Sequence, residues 1–93
     1  NLNKIIIAYE PVWSIGTNKI LKNKELEKII RFIKKEYRDK FKTKSFPKVL
    51  YGGSVNQKNI SQLSLVRELD GFLIGGASQS AKKFIDIIKN YYK

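Results

Sequence analysis

Apolar positions along the chain fall into two different periods. Ile5-Ile6-Ile7-Ala8 is a near-continuous apolar run inside Lys4–Tyr9, the habit of a parallel strand buried on both faces. Leu26, Ile29, Ile30, Ile33, Tyr37 and Phe41 then recur at the spacing of one helical face, which predicts a helix over 24–41. Asn23 is placed to cap that helix. Glu25 and Glu27 suit its positive start, and Lys40, Lys42 and Lys44 its negative end. After Pro47, Lys48-Val49-Leu50-Tyr51 reads as a short strand that stops at Gly52-Gly53-Ser54. Asn56 is a cap for a short helix holding Ile60 and Leu63. A turn near 67–71 leads to a third strand, Phe72-Leu73-Ile74. Gly75-Gly76-Ala77 ends it. Ser78 or Ser80 caps a last helix, whose expected buried stripe is Ala81, Phe84, Ile85, Ile88 and Tyr92.

The order is βαβαβα. Such alternation predicts an α/β fold in which a parallel sheet is joined by right-handed crossovers. All three strands then end on the same carboxyl side, each in a loop. Ligands of α/β folds bind on that side, in open sheets and in barrels. No internal repeat or low-complexity linker interrupts the pattern.

Composition narrows the picture. Ninety-three residues suffice for one small domain, which would bury only roughly 60–65% of its unfolded surface. No apolar run reaches the ~18 residues of a membrane span, and the first one is too short for a signal peptide. Cysteine and histidine are both absent. Disulfides, thiolate or imidazole metal sites and a Ser-His-Asp triad are therefore excluded within this chain. Methionine is absent too, and the chain opens on Asn1 just before a strand, so it is expected to be a piece of something longer. The net charge is +11, with 12 of the 19 basic and 4 of the 8 acidic residues between positions 19 and 48. A nucleic-acid patch is one reading of that stretch. Sixteen of the basic residues are lysine and three arginine, which favours a solvated lysine-rich helix face over bidentate phosphate recognition.

Three places could carry chemistry. Pro11 keeps Glu10 out of α conformation, so a carboxylate projects where the first strand gives way to its loop. Gly52 and Gly53 let the backbone after the second strand approach a ligand closely. Gly75-Gly76 before a helix start is an anion-binding arrangement, although weak when taken alone.

Read together, the three motifs have a familiar look. Ala8-Tyr9-Glu10-Pro11-Val12-Trp13-Ser14-Ile15-Gly16-Thr17 resembles the catalytic strand and lid of the triosephosphate isomerase family. Tyr51-Gly52-Gly53-Ser54-Val55-Asn56 resembles that family's next active-site loop, and Asp70–Ser78 its last strand and phosphate loop. The motifs fall at family spacing over residues 4–78, and the final helix also fits. The resemblance implies a partial (β/α)8 TIM barrel: three parallel strands each followed by a helix, the last three of eight units. Residues 1–93 would be the C-terminal fragment of a single barrel domain.

The resemblance also implies roles. Glu10 would be the general base that interconverts dihydroxyacetone phosphate and glyceraldehyde 3-phosphate through an enediol, a step of glycolysis and gluconeogenesis in the cytoplasm. A carboxylate under a closing lid loses water, which raises its basicity. Pro11, Val12 and Trp13 would form the leading hinge of the lid, with Ser14, Ile15, Gly16, Thr17 and Asn18 its tip. Backbone N–H groups of Gly16, Ser54, Gly75 and Gly76 would hold the phosphate, and Tyr51 and Ser54 the closed lid. No cofactor and no metal are implied. Asn18, Ile20, Leu21 and Gln79 depart from the family pattern, the first three in the lid and its trailing hinge. The family's electrophilic lysine and histidine and its dimer-forming loop have no counterpart among these residues. An N-terminal complementing fragment would have to supply them, and the chain alone is expected to be inactive. Two open strand edges and an uncovered barrel-interior face favour association. The competing class is a non-catalytic phosphate- or nucleic-acid-binding remnant.

Overall fold

Burial along the second strand decides which side of the sheet is core. The computed structural model describes residues 5–11 and 22–93. In β2 (Lys48–Tyr51), Val49 and Tyr51 are fully buried, while Lys48 is exposed and Leu50 half-buried. β1 (Ile6–Tyr9) repeats the alternation more weakly: Ile7 and Tyr9 are half-buried and Ile6 is 60% exposed. β3 is Gly71–Phe72. The three strands form one parallel sheet in the order β1-β2-β3, with Ile6 opposite Lys48, Tyr9 opposite Tyr51 and Tyr51 opposite Phe72. The third strand is shorter than the expected 72–74, although Leu73 still donates its N–H to Tyr51 O at 2.9 Å.

The helices are α1 (Asn23–Phe41), α2 (Ile60–Leu63) and α3 (Ala81–Tyr91), with a 3-10 turn at Gly76–Gln79. Leu26 and Ile30 of α1, Ile60 and Leu63 of α2 and Ile87 of α3 join Val49, Tyr51, Val55 and Val66 in one core. All three helices therefore contribute to the sheet face that bears Val49 and Tyr51. The other face, with Ile6, Ala8, Leu50 and Leu73, has no helix over it among the described residues. The apolar run of β1 is thus covered on one side, where its sequence predicted two. The reason is the sheet: three strands with helices on one face leave the second face open.

Two sequence expectations about the helices α1 and α3 change. Lys22, rather than Asn23, occupies the N-cap of α1, with no side-chain cap bond. Asn23 turns instead to α2, where its Nδ2 donates to Gln62 O at 2.9 Å. The final helix buries Ile87, and Tyr91 sets its ring edge-on to Phe72 at 6.1 Å. The expected stripe lies on another side: Phe84, Ile85, Ile88 and Tyr92 are 37–79% exposed. Ile87 is the buried residue of α3, and Tyr91 reaches Phe72 while staying 44% exposed. Of the two serines offered as its cap, Ser80 serves, accepting from Lys83 N at 3.3 Å. Asn90 Nδ2 donates to Gln57 O at 2.7 Å and fixes the far end of α3 beside α2.

A polar seam that periodicity does not reveal ties α1 to the chain before β3. Lys34 is buried, and its Nζ lies 3.0 Å from Asp70 Oδ2 and also donates to Glu68 O. The same Asp70 oxygen accepts from Val49 N at 2.8 Å. One turn earlier on α1, Arg31 pairs with Glu68 at 2.8 Å, and Glu27 accepts from Arg67 N at 3.0 Å. Removing the carboxylate would strand a buried ammonium and a strand N–H together. Asp70→Ala is expected to lower stability by about 2–3 kcal/mol, less than the ~3–5 kcal/mol of a broken, fully buried pair because Asp70 is partly exposed. Asp70→Asn, which keeps an acceptor for Val49, should cost less. Urea unfolding of the three chains measures the order, and equal midpoints would contradict it.

Candidate functional site

The parallel register brings three strand ends level. Tyr9, Tyr51 and Phe72 are neighbours across the sheet, so the next residues, Glu10, Gly52 and Leu73, lie side by side on the uncovered face. Gly52 N donates to Tyr9 O at 2.9 Å and extends the ladder to this level. A Cβ added at Gly52 would lie 3.0 Å from Glu10 Cγ, 3.1 Å from Glu10 Oε1 and 3.1 Å from Leu73 Cβ. A side chain at this position would press on Glu10 and Leu73, which would have to give by a few tenths of an ångström. Pro11, which directs Glu10 away from the helical region, is itself buried.

Glu10 faces a cavity of about 930 Å³ whose lining includes Ser54, Gly75, Gly76, Lys58 and Lys83. Ser54 has a positive φ of 42°. Its carbonyl accepts from Asn59 Nδ2 at 2.8 Å and from Asn56 Nδ2 at 3.3 Å. Asn59, with no side-chain cap bond, occupies the N-cap of α2 where the sequence predicts Asn56; Asn56 instead closes the turn before the helix, accepting from Lys58 N at 2.8 Å and Asn59 N at 3.0 Å through Oδ1. Gly75 and Gly76 are exposed at the start of the 3-10 turn, and a Cβ at either would meet nothing within 4 Å. No close neighbour among the described residues requires glycine at either position. Ser78 closes the turn by donating Oγ–H to Gly75 O at 2.6 Å. Tyr51 is wholly buried, and its hydroxyl has no hydrogen-bond partner among the described residues.

Glu10, Ser54, Gly75 and Gly76 therefore line one cavity, with Tyr51 and Pro11 buried in the elements beside it. Val12, Trp13, Ser14, Ile15, Gly16, Thr17 and Asn18 lie outside the described residues. The sequence reading gave no role to Lys58, Lys83 or Asn59, which also line the cavity. A positional signal for them exists: each falls within the first turn after an expected cap, Asn56 or Ser80, on the carboxyl side of the sheet. Two ammonium groups against the single Glu10 carboxylate make this cavity attractive to anions. Among the described residues no group of three or more His, Cys, Asp or Glu side chains could hold a metal ion.

Comparison with known proteins identifies the family of the chain. The family model described as Triosephosphate isomerase matches residues 1–91. The triosephosphate isomerase of Campylobacter hominis is 46% identical over 85 residues, covering 91% of this chain and 33% of that protein. That of Dictyostelium discoideum is 46% identical over 90 residues, covering 95% and 35%, and that of Mesomycoplasma hyorhinis 40% identical over 88 residues, covering 95% and 34%. The chain spans about a third of the length of the curated relatives it matches. On these matches and on its parallel βαβαβα sheet, the chain belongs to the triosephosphate isomerase family.

Proposed function

We propose that this chain carries the base and phosphate half of a triose-phosphate isomerase site, as the C-terminal fragment of a single TIM-barrel domain. The observation that carries the reading is the single cavity shared by Glu10, Ser54, Gly75 and Gly76. A carboxylate at one side and bare backbone at the other suit a short phosphorylated substrate with an acidic carbon between them. Glu10 would take a proton from the carbon next to the carbonyl, leaving an enediolate. It would return that proton to the neighbouring carbon while the hydroxyl proton passes from one oxygen to the other, so the hydroxyl and carbonyl exchange places without net gain or loss of atoms. The buried Tyr51 hydroxyl supports a lid-holding role, because a lid backbone group arriving over the site would satisfy it.

Stabilisation of the enediolate is the large missing part. It is commonly the greatest single catalytic contribution, and this chain has no histidine to provide it. The reading therefore includes a complementing N-terminal part and, with it, the homodimer, the cytoplasmic setting and the place in glycolysis of the family's full-length enzymes. No described helix is long and apolar enough to cross a membrane.

Two outcomes are expected. The purified chain and Glu10→Gln should give the same background isomerase rate, while both bind 2-phosphoglycolate. A chimera with the N-terminal two thirds of the Campylobacter hominis relative should turn over, and Glu10→Gln should lower its kcat by about 10²–10⁴-fold, the usual worth of a positioned base. A chimera that turns over equally well without Glu10 would end the reading. In that chimera Gly52→Ala should press on the Glu10 side chain and lower kcat by about tenfold with little change in KM, less than the ~10²-fold expected for a displacement of about an ångström. Steady-state kinetics on the folded variants separates the two constants.

A further inference from the structure

Ser54 is the one non-glycine residue of the candidate site in left-handed backbone among those described, at φ 42°. Serine disfavours that region, because its Cβ crowds the backbone there. Such a conformation persists where surrounding contacts over-determine it, and observed outliers of this kind cluster at ligand sites. Here the contacts are explicit. Asn59 Nδ2 donates to Ser54 O at 2.8 Å, and Asn56 Nδ2 donates to the same oxygen at 3.3 Å.

The two asparagines are themselves held by each other. Asn56 N donates to Asn59 Oδ1 at 2.9 Å, and Asn59 N donates to Asn56 Oδ1 at 3.0 Å. This is the reciprocal geometry of a capping box, with asparagine at both ends. Each side chain thus spends its oxygen on the partner's backbone and aims its amide nitrogen at Ser54. The base of the clamp is fixed, since Ile60 is 1% exposed and Leu63 is fully buried directly after it. Ser54, Asn56 and Asn59 all line the cavity that Glu10 faces.

We propose that Asn59, assisted by Asn56, is a positioning residue for phosphate. It holds Ser54 in left-handed backbone so that the Ser54 N–H is directed at the anion, and it does not itself touch the ligand. This rests on the reading of Ser54, Gly75 and Gly76 as the phosphate cradle. A helix cap alone would need only the two asparagine oxygens. The amide nitrogens converging on one carbonyl are what a cap leaves unexplained.

The test is a titration of the full chain with 2-phosphoglycolate, followed by the backbone amide shifts of Ser54, Gly75 and Gly76. Asn59→Asp is isosteric and keeps an acceptor for Asn56 N. Asn59→Ser is neutral and loses the carboxamide. Both should weaken binding by about tenfold, the scale of one well-directed charge-assisted hydrogen bond, and a loss common to both comes from the missing donor rather than from charge or size. The Ser54 coupling between N–H and Hα should also shift in the free variants, which reads its φ directly. In a Ser54→Gly background, where positive φ carries no steric cost, the Asn59→Ser effect should shrink to about twofold or threefold. Undiminished affinity in both Asn59 variants would overturn the proposal, and so would an equal tenfold loss in the glycine background. Failure of the parent chain to show saturable shifts at Ser54, Gly75 and Gly76 is a separate result: it would end the phosphate reading itself.

Discussion

One carboxylate oxygen ties β2 to α1 and to the chain that enters β3. Asp70 Oδ2 accepts from Val49 N in β2 and faces the Lys34 ammonium that rises from α1. The ammonium also reaches Glu68 O, so the last residues before β3 are pinned to the helix. A lysine buried at that depth needs a charged partner and a second acceptor to offset lost hydration. Asp70 and Glu68 provide both. Asp70 also sets where β3 begins, since its own N–H donates to Val49 O at 3.0 Å. The pairing of Leu50 with Gly71 and of Tyr51 with Phe72 follows from that anchor.

The site inherits its geometry from the same register. With Tyr51 opposite both Tyr9 and Phe72, the strand ends arrive at one level, and Glu10, Gly52 and Leu73 become neighbours without any long loop having to reach. The two later loops then differ in how they stay open. The one after β2 is held by side-chain amides on a serine carbonyl, whereas the one after β3 relies on glycines with empty space around them. A left-handed serine is held by specific bonds, and bare glycines need none.

What was legible in the sequence follows the range of the forces. β1, α1 and β2 could be read because local apolar spacing defines them, and Glu10 because Pro11 acts on its immediate neighbour. The motif loops were legible as chemistry, and the cavity gathers Glu10, Ser54, Gly75 and Gly76. Features set by tertiary contact were not legible. Asn23 has the right chemistry for a cap, but a carbonyl of α2 competes for its amide. Apolar residues run around much of α3, and spacing alone cannot rank Ile87 above Ile88. Lys34 falls on the helical line of Leu26 and Ile30, yet its burial depends on Asp70, which lies beyond two further elements.

The uncovered sheet face and the exposed apolar residues of α3 set the colloidal behaviour of the molecule. Ile6, Leu73, Ile85 and Ile88 are 43–60% exposed on a chain that carries a net charge of +11. Attraction between such faces acts at contact, whereas repulsion between lysine-rich surfaces acts across the solvent. At low ionic strength repulsion keeps copies apart. By about 0.1 M salt its range has fallen to about 10 Å, so sticky faces can meet before like charges oppose them. For this chain, dissolved salt therefore acts as a switch on crowding, with solubility highest where the buffer is most dilute.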